Sequence, residues 1–365
     1  MSNKKVDRIF FITIATLVLF GFFVFTSASL GLLTKGEGRF SSALFSQAVM
    51  GLLLGGIAFF TTTKVHYRKY KKFAFYIFLT SIILTLLVFV PKIGMSHGGA
   101  SRWLLLGPIS FQPAEFLKLG FVIYYAAWLT GIKDKVKTVK YGVLPLVIML
   151  GLIGGILLSQ PDTGTFLVIL ISAIGMFIVA GARWKHISIL GLISALGFGV
   201  LVLLRPYIWE RVLTFIDPAR DSLGAGYQIQ QSLIAIGSGE IFGRGFGKSI
   251  QKFNNFLPEP IGDSIFAVTA EEWGFIGSIF LISLFLILTF RGFKIASNAP
   301  DRFSSLLVVG IILLISSQSL INIGAMLGVF PLIGMPLLFV SHGGTALLFA
   351  LAEVGIVLNV SRYMR

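Results

Sequence analysis

The chain has 365 residues, of which 56% are hydrophobic and only 12% charged, and its mean hydropathy is +0.91. A soluble protein of this size has too little interior to cover so much apolar surface, so the composition excludes a soluble globular protein and indicates one embedded in a lipid bilayer. The net charge of +15 lies in short basic clusters between apolar runs, which argues against a nucleic-acid-binding face. Because the chain has no cysteine, its redox compartment cannot be inferred.

Apolar segments long enough to cross a bilayer recur along the whole chain. The first is too long for the core of a signal peptide. We predict an all-α, polytopic membrane protein that forms a single transmembrane domain over residues 1–365. Its transmembrane helices, about ten in number, are predicted at 9–33, 43–62, 72–90, 112–130, 141–159, 164–181, 186–204, 264–290, 304–327 and 334–361.

The distribution of basic residues predicts the orientation of the chain in the membrane. Lys and Arg are concentrated in alternate loops and at both ends of the chain, so the positive-inside rule places both termini on the cytoplasmic side. The opposite face has short connections and one long, glycine-rich loop, residues 205–263, between the seventh and eighth predicted helices. A loop of this length is expected to fold or to function.

Ionisable side chains near the fourth predicted helix are candidates for a site, because such groups are expensive in lipid. Glu115 and Lys118 are three residues apart, so they share one helix face and can neutralise each other, either as a structural ion pair or within a functional site. Arg102 lies in the polar segment before this helix and is suited to bind phosphate. Because Trp103 is adjacent, Arg102 is equally typical of a charge at the membrane interface.

Two aspartates precede predicted helices. Asp162 follows a Gln-Pro turn, where capping of the sixth helix is the default role; a function is indicated only if it faces Lys118 across a cavity. Asp263 opens the eighth helix at the predicted outer face, between lipid head groups and low-dielectric protein. That environment can raise its pKa enough for it to act as a general base, and the alternative is again an N-cap. Deeper in this helix, at least one of Glu271 and Glu272 is expected to face the bundle interior.

A kinked, glycine-rich entry, residues 331–345, leads into the tenth predicted helix and is typical of segments that line cavities in transporters. His342 lies in this entry and can bind substrate, although a single histidine is more often a hydrogen-bonded structural residue. The sequence contains no Walker loop, no HExxH motif, no nucleophile elbow and no convincing cluster of metal ligands.

Taken in order, these segments resemble the SEDS family of shape, elongation, division and sporulation proteins. The resemblance covers nearly the whole chain, and the ordered set of motifs is specific although each motif alone is weak. The residues that make up the motifs favour the division-type FtsW branch over the elongation-type RodA branch. The segments that carry it are 26–29, 101–103, 107–118, 160–165, 227–228, 231–239, 242–245, 257–259, 322–324 and 341–345.

The resemblance implies a peptidoglycan glycosyltransferase that polymerises lipid II, the undecaprenyl-diphosphate-linked disaccharide peptide, at the outer face of the bacterial cytoplasmic membrane during division or elongation. In the family, the acidic residue matching Asp263 is essential for polymerisation, and residues matching Glu115, Lys118 and Asp162 line the central cavity. We therefore predict Asp263 as the catalytic residue. The predicted substrate-binding residues are Arg102, Glu115, Lys118, Asp162, Gln112 and His342.

The expected reaction is removal of a proton by Asp263 from an acceptor sugar hydroxyl, which attacks the anomeric carbon of the donor and displaces its diphosphate with inversion. Arg102 and Lys118, or a divalent cation (Mg²⁺ or Mn²⁺) held by the diphosphate, would stabilise the departing charge. The resemblance also implies a class B penicillin-binding transpeptidase as partner. The competing functions are a lipid II flippase and a scaffold without catalytic activity.

Three departures from the family pattern affect the surroundings of the carboxylate. His342 replaces the usual tyrosine of a Ser-Tyr-Gly-Gly motif, and Asp263 is followed by Ser264 where phenylalanine is common. Gly262 stands where threonine or serine is frequent. These changes leave the carboxylate in place and alter the groups that can hydrogen-bond to it.

Overall fold

The structure is a computed structural model that describes residues 6–97, 100–106, 109–218, 224–253 and 256–364. Most of these residues are helical. The α-helices are α1 (Arg8–Ser29), α2 (Glu37–Ser46), α3 (Gly55–Lys64), α4 (Tyr67–Leu86), α5 (Pro113–Ile132), α6 (Leu144–Ser159), α7 (Thr163–Val179), α8 (Trp184–Leu204), α9 (Pro206–Ile216), α10 (Ala225–Ser238), α11 (Ile265–Ser297), α12 (Arg302–Met326) and α13 (Gly344–Ser361). Shorter 3₁₀ or π segments extend or join them at Leu30–Lys35, Gln47–Leu54, Leu87–Phe89, Lys133–Lys137 and Val139–Val143.

The predicted polytopic membrane fold is confirmed, since each of the ten predicted segments contains a helix. Eight helical stretches of the described residues are long and apolar enough to cross a membrane. The other two predicted spans are α7, which is apolar but has only 17 residues, and α5, which has 20 residues and carries the Glu115–Lys118 pair. The side of the membrane on which each terminus lies stays a prediction.

The predicted all-α fold has one local exception, a short sheet in the segment before α5. Three short antiparallel strands form there in the order β1-β2-β3: β1 (Gly94–His97), β2 (Ala100–Leu106) and β3 (Ile109–Phe111). Backbone groups that are not in a helix must find partners at a membrane boundary, and pairing between strands supplies them. The sheet projects the side chain of Arg102 from β2 toward the polar interior.

The tenth predicted helix begins later than expected. It was predicted over 334–361, but α13 begins at Gly344, and residues 331–337 are not helical. Pro331 and Pro336 cannot donate the backbone hydrogen bonds that a helix there would require. Asn322 of α12 instead supports this segment by donating its side-chain amide to the Met335 carbonyl, with an N···O distance of 2.7 Å.

The long loop predicted at 205–263 is folded and is joined closely to α11. It contains α9, which follows α8 after the single residue Arg205, and α10. Its segment 240–245 pairs with α11 at Gly274, where the helix is interrupted (φ 65°, ψ −163°). The Phe275 amide donates to the Glu240 carbonyl at 2.8 Å, and the Arg244 amide donates to the Glu271 carbonyl at 2.9 Å. The loop therefore satisfies backbone groups that the interruption leaves without partners within the helix.

Burial is uneven across the bundle. α12 and α13 are the most enclosed of the spanning helices, with 83% and 94% of their apolar windows buried, whereas α8 has 6% buried. α12 packs against α5, α7 and α11, and α13 packs against α3. The enclosed helices therefore form the centre of the fold, and the site described next opens at one end of the bundle, where α11 begins and α12 finishes.

Candidate functional site

A polar cavity of about 510 Å³ lies where the sheet, the start of α7, the segment before α11 and the entry to α13 meet. Most of the predicted site residues line it together, although they are distant in the sequence. Lys118 is not among the lining residues. The predicted residues that line the cavity are Arg102, Gln112, Glu115, Asp162, Asp263 and His342.

Asp263 is held by polar contacts to its main chain and side chain. Asn322 donates its side-chain amide to the Asp263 carbonyl at 2.8 Å, and Gln228 of α10 donates to the Asp263 carboxylate at 3.4 Å and to the Ser264 hydroxyl at 2.9 Å. The N-cap residue of α11 is Ser264, and no hydrogen bond from an α11 amide to the Asp263 carboxylate occurs among the described residues. The carboxylate is therefore available to the cavity instead of being used as a helix cap.

The pKa of Asp263 is raised to about 6. The main cause is burial, which removes water from the charged form, and repulsion from the Glu259 carboxylate adds to it. Arg211 and the hydrogen bond from Gln228 act in the opposite direction and are weaker. A carboxylate of this kind is ionised at neutral pH and more basic than an ordinary aspartate, as a general base requires.

Glu115 and Lys118 form a buried ion pair, with 2.7 Å between the Lys118 ammonium and the Glu115 carboxylate. The Lys118 ammonium also donates to the Gln318 side-chain oxygen at 2.6 Å, and Gln318 donates to the Pro336 carbonyl at 3.1 Å. Glu115, Gln318 and Pro336 line the cavity, whereas Lys118 does not. Lys118 therefore neutralises the Glu115 carboxylate and holds it in position from outside the cavity.

Arg102 and Asp162 meet at the turn before α7. The Arg102 guanidinium donates to the backbone carbonyls of Gln160 and Pro161. Asp162 caps α7, accepting from the Thr165 amide at 3.2 Å and the Thr165 hydroxyl at 2.9 Å, and it also lines the cavity. Asp162 therefore caps α7, the default prediction, and also lines the cavity together with Glu115 of the ion pair but without Lys118.

His342 and Gln112 complete the predicted set. The His342 ring stacks on Phe25, with 5.9 Å between ring centroids, and its Nε2 atom is buried without a hydrogen-bond partner among the described residues. Burial lowers the pKa of His342, which favours the neutral ring. The backbone amide of Gln112 donates to the Thr345 hydroxyl at 3.4 Å, which links the start of α5 to the start of α13.

The cavity includes charged residues that the sequence analysis did not single out. Arg211 of α9 and Glu259 both line it, and both come from the long loop. Basic and acidic residues are equally frequent in this loop, so no excess of charge marked either position. The only feature of the sequence that pointed to them was the length of their loop, which is too long for a simple connection. Glu353 was also overlooked; it lies buried in α13, close enough to Glu115 and Lys118 to interact electrostatically.

Glu271 and Glu272 are both buried, so both face protein, as expected for at least one of them. Glu272 forms an ion pair with Lys252 at 2.6 Å and accepts from the Ser27 hydroxyl at 2.5 Å. Glu271 accepts from the Ser249 hydroxyl at 2.5 Å. These contacts bind the long loop to α1 and α11 and involve none of the cavity-lining residues.

Within the described ranges, no group of three or more His, Asp or Glu side chains is arranged to hold a metal ion. Phosphate oxygens are hard donors suited to Mg²⁺ or Mn²⁺, so a divalent cation held with a diphosphate stays a prediction.

The fold and cavity are those of a polytopic membrane protein with an acidic and basic site at one end of its bundle. Residues 7–365 match the cell cycle protein family of FtsW, RodA and SpoVE, and the chain belongs to this family. The resemblance to SEDS proteins is thereby confirmed.

Curated relatives and solved structures agree with this membership. The chain is 38% identical to stage V sporulation protein E of Bacillus subtilis over 100% of both chains. It is 37% identical to a probable peptidoglycan glycosyltransferase FtsW of Geobacter sp. (strain M18), covering 98% of this chain and 97% of the relative.

Among solved structures, the fold is similar to a chain of a peptidoglycan synthase complex that coordinates polymerization and crosslinking (TM-score 0.79, 30% identity, 98% of each chain). It is also similar to the rod shape determining protein RodA of Thermus thermophilus (TM-score 0.69, 27% identity, 99% of this chain and 98% of that one).

Proposed function

We propose that this chain is a peptidoglycan glycosyltransferase that polymerises lipid II into glycan strands at the outer face of the bacterial cytoplasmic membrane. Family membership and the names of its relatives support the reaction class. The single observation that carries the assignment to a site is the position of Asp263: a carboxylate with a pKa raised to about 6, in a polar cavity beside the start of a spanning helix.

Asp263 acts as the general base in this proposal. Its carboxylate takes the proton of the acceptor's sugar hydroxyl, the hydroxyl oxygen bonds to the anomeric carbon of the donor, and the bond from that carbon to the diphosphate breaks. Asn322 and Gln228 fix the main chain and carboxylate of Asp263. Attack from the face opposite the departing diphosphate inverts the anomeric centre, as expected for a single displacement.

The polar residues of the cavity have supporting roles. Arg102 is positioned to attract the diphosphate, and Gln112, Glu115, Asp162 and His342 offer hydrogen-bonding groups to the sugars and peptide. Lys118 acts through Glu115, because it is paired behind the cavity wall. A divalent cation, Mg²⁺ or Mn²⁺, is proposed to arrive with the diphosphate and to supply additional charge neutralisation.

The proposed partner is a class B penicillin-binding transpeptidase with a membrane-anchoring helix. A similar chain occurs in a peptidoglycan synthase complex, which supports the proposal. α11 has apolar side chains that the bundle leaves exposed, including Phe275, Phe280 and Phe290, whereas α12 is largely covered. Cysteine crosslinking from these three positions should capture the transpeptidase, and crosslinks obtained only to lipid would contradict this contact.

The function is tested by incubating purified lipid II with the full chain in liposomes, with and without the cognate transpeptidase. We expect glycan strands of many disaccharide units. If lipid II moves between leaflets but no strands form, the flippase is favoured; if neither occurs but the chain still recruits the transpeptidase, the scaffold is favoured. Glu240→Gln, which alters an exposed carboxylate outside the cavity, should polymerise like the unmodified chain.

A further inference from the structure

Two guanidinium groups from different elements face the same cavity. Arg102 comes from β2 and Arg211 from α9, and both line the cavity that contains Asp263. Neither forms an ion pair with a carboxylate of the described residues, although four carboxylates line the same space. Arginines that reach a polar cavity without a carboxylate partner remain free to bind an anion.

Arg102 is already oriented by the protein. It donates to the carbonyls of Gln160 and Pro161, so part of its hydrogen-bonding fork is used and its direction is set. Gln160 is buried and donates to the Thr85 carbonyl at 2.9 Å, which fixes the turn from the other side. Arg102 thus presents a preorganised positive charge to the cavity.

Arg211 approaches Asp263 without pairing with it. A methyl group added at Gly334 would lie 3.8 Å from an Arg211 guanidinium nitrogen and also 3.8 Å from an Asp263 carboxylate oxygen. The guanidinium and the carboxylate therefore border the same position on the cavity wall, beside Gly334. A ligand group at that point can touch the cation while the next atom of the ligand faces the carboxylate.

Electrostatics around Arg211 favour an anion. Burial lowers the pKa of the Arg211 guanidinium below its usual value, and the positive charge of Arg102 lowers it further. The Tyr207 hydroxyl on the same helix is buried and has no hydrogen-bond partner among the described residues. Arg211, Arg205 and Arg102 all lie close enough to the Tyr207 hydroxyl to interact with it electrostatically. An anion with two negative groups would relieve the repulsion between the guanidiniums.

We propose that Arg102 and Arg211 together bind the diphosphate of the lipid-linked donor, with Arg211 on the phosphate attached to the sugar. This assignment rests on the proposed function. The acceptor hydroxyl loses its proton to Asp263 and bonds to the anomeric carbon, while the electron pair of the broken carbon–oxygen bond passes to the sugar-linked phosphate. That phosphate gains one negative charge at the moment of departure, and a guanidinium beside it stabilises the transition state.

The test measures binding separately from catalysis. The full chain in phosphatidylcholine nanodiscs is titrated with undecaprenyl diphosphate and with undecaprenyl monophosphate. We expect a preference of about tenfold or more for the diphosphate, because two charge-assisted contacts replace one. Arg211→Gln should weaken diphosphate binding by about tenfold or more and remove the preference, whereas Arg211→Lys should retain part of the affinity.

The matched control is Arg205→Gln, which removes the same charge from an exposed position at the start of α9, outside the cavity. It should bind both lipids like the unmodified chain. Thermal unfolding of each variant distinguishes lost binding from lost folding.

The inference is overturned if folded Arg211→Gln binds the diphosphate as tightly as the unmodified chain. It is also overturned if excess phosphatidylglycerol displaces the diphosphate lipid as well as unlabelled undecaprenyl diphosphate does, since the site would then recognise any lipid phosphate. Polymerisation by the unmodified chain is measured in parallel. A chain that binds the diphosphate selectively but makes no glycan would contradict the proposed function and leave the binding inference standing.

Discussion

The Lys118 ammonium lies 2.7 Å from the Glu115 carboxylate, yet only Glu115 of this pair lines the cavity. The pair therefore separates two tasks: one residue contacts the site, and the other neutralises and positions it. Removal of one partner leaves an unpaired charge in the bundle, which is far more damaging than removal of both.

The first prediction concerns this pair. Lys118→Met should lower the free energy of unfolding by about 3–5 kcal/mol, because the Glu115 charge is left buried without its partner. The double variant Glu115→Gln/Lys118→Met should recover most of this loss but not the polymerase activity, since the cavity carboxylate is gone. Denaturant or thermal unfolding in detergent measures the effect. Equal destabilisation by the single and double variants would contradict the account.

The second prediction concerns pH. Polymerisation should decline as the pH falls through about 6, because protonation of Asp263 removes the base. Glu259→Gln should move this midpoint to lower pH, since the Glu259 carboxylate raises the pKa of Asp263. Polymerisation rates measured between about pH 5 and pH 8, with Glu240→Gln as control, test this prediction. An upward movement of the midpoint in Glu259→Gln would exclude this electrostatic link.

The third prediction concerns the interruption of α11. Gly274 has a positive φ, and an added methyl group there would lie 2.4 Å from the Gly243 nitrogen and 2.6 Å from the Ile241 oxygen. Gly274→Ala should therefore separate the loop from α11 and lower the thermal unfolding midpoint by several degrees. Gly155→Ala in α6 is the matched control, because its added methyl group meets no atom within 4 Å. Equal midpoints for the two variants would argue against the loop contact.

The fourth prediction compares two buried glutamates. Glu353 makes no hydrogen bond or ion pair with the described residues, whereas Glu272 is paired with Lys252. Glu353 is attracted by Lys118 and repelled by Glu115 but bonded to neither, so Glu353→Gln should leave the unfolding midpoint unchanged or raise it. Glu272→Gln should lower it, because Lys252 would lose its partner. The reverse order of the two midpoints would show that Glu353 has a stabilising partner.

Much of the fold was predictable because bilayer crossing requires long apolar helices, and these leave a strong signal in composition and length. The predicted helix boundaries were wrong where tertiary contacts stabilise non-helical backbone. The late start of α13 depends on Asn322 of another helix, and the strands before α5 depend on one another. Neither kind of contact can be recognised from the hydrophobicity or spacing of neighbouring residues in the sequence.

The candidate site was predicted less completely than the fold. Asp263 and Arg102 were identified because each stands in a motif of the family or beside a predicted helix. Arg211 was missed because a charged residue in an amphipathic helix of a long loop is usually exposed to solvent. Only the structure shows that α9 lies over the cavity. Lys118 was predicted to line the cavity because the family resemblance implies it; its helical spacing gives the face that it shares with Glu115 but not its depth in the bundle.

The most direct test of the central claim is polymerisation of purified lipid II by Asp263→Asn, with the cognate transpeptidase present and Glu240→Gln as control. Asparagine keeps the size of the side chain but cannot accept the proton. Because the raised pKa means that ionised Asp263 destabilises the fold above pH 6, the variant should unfold at the same or a higher temperature at pH 8. We predict a folded protein that makes no glycan strands; a folded Asp263→Asn that polymerises at the rate of the unmodified chain would contradict the account.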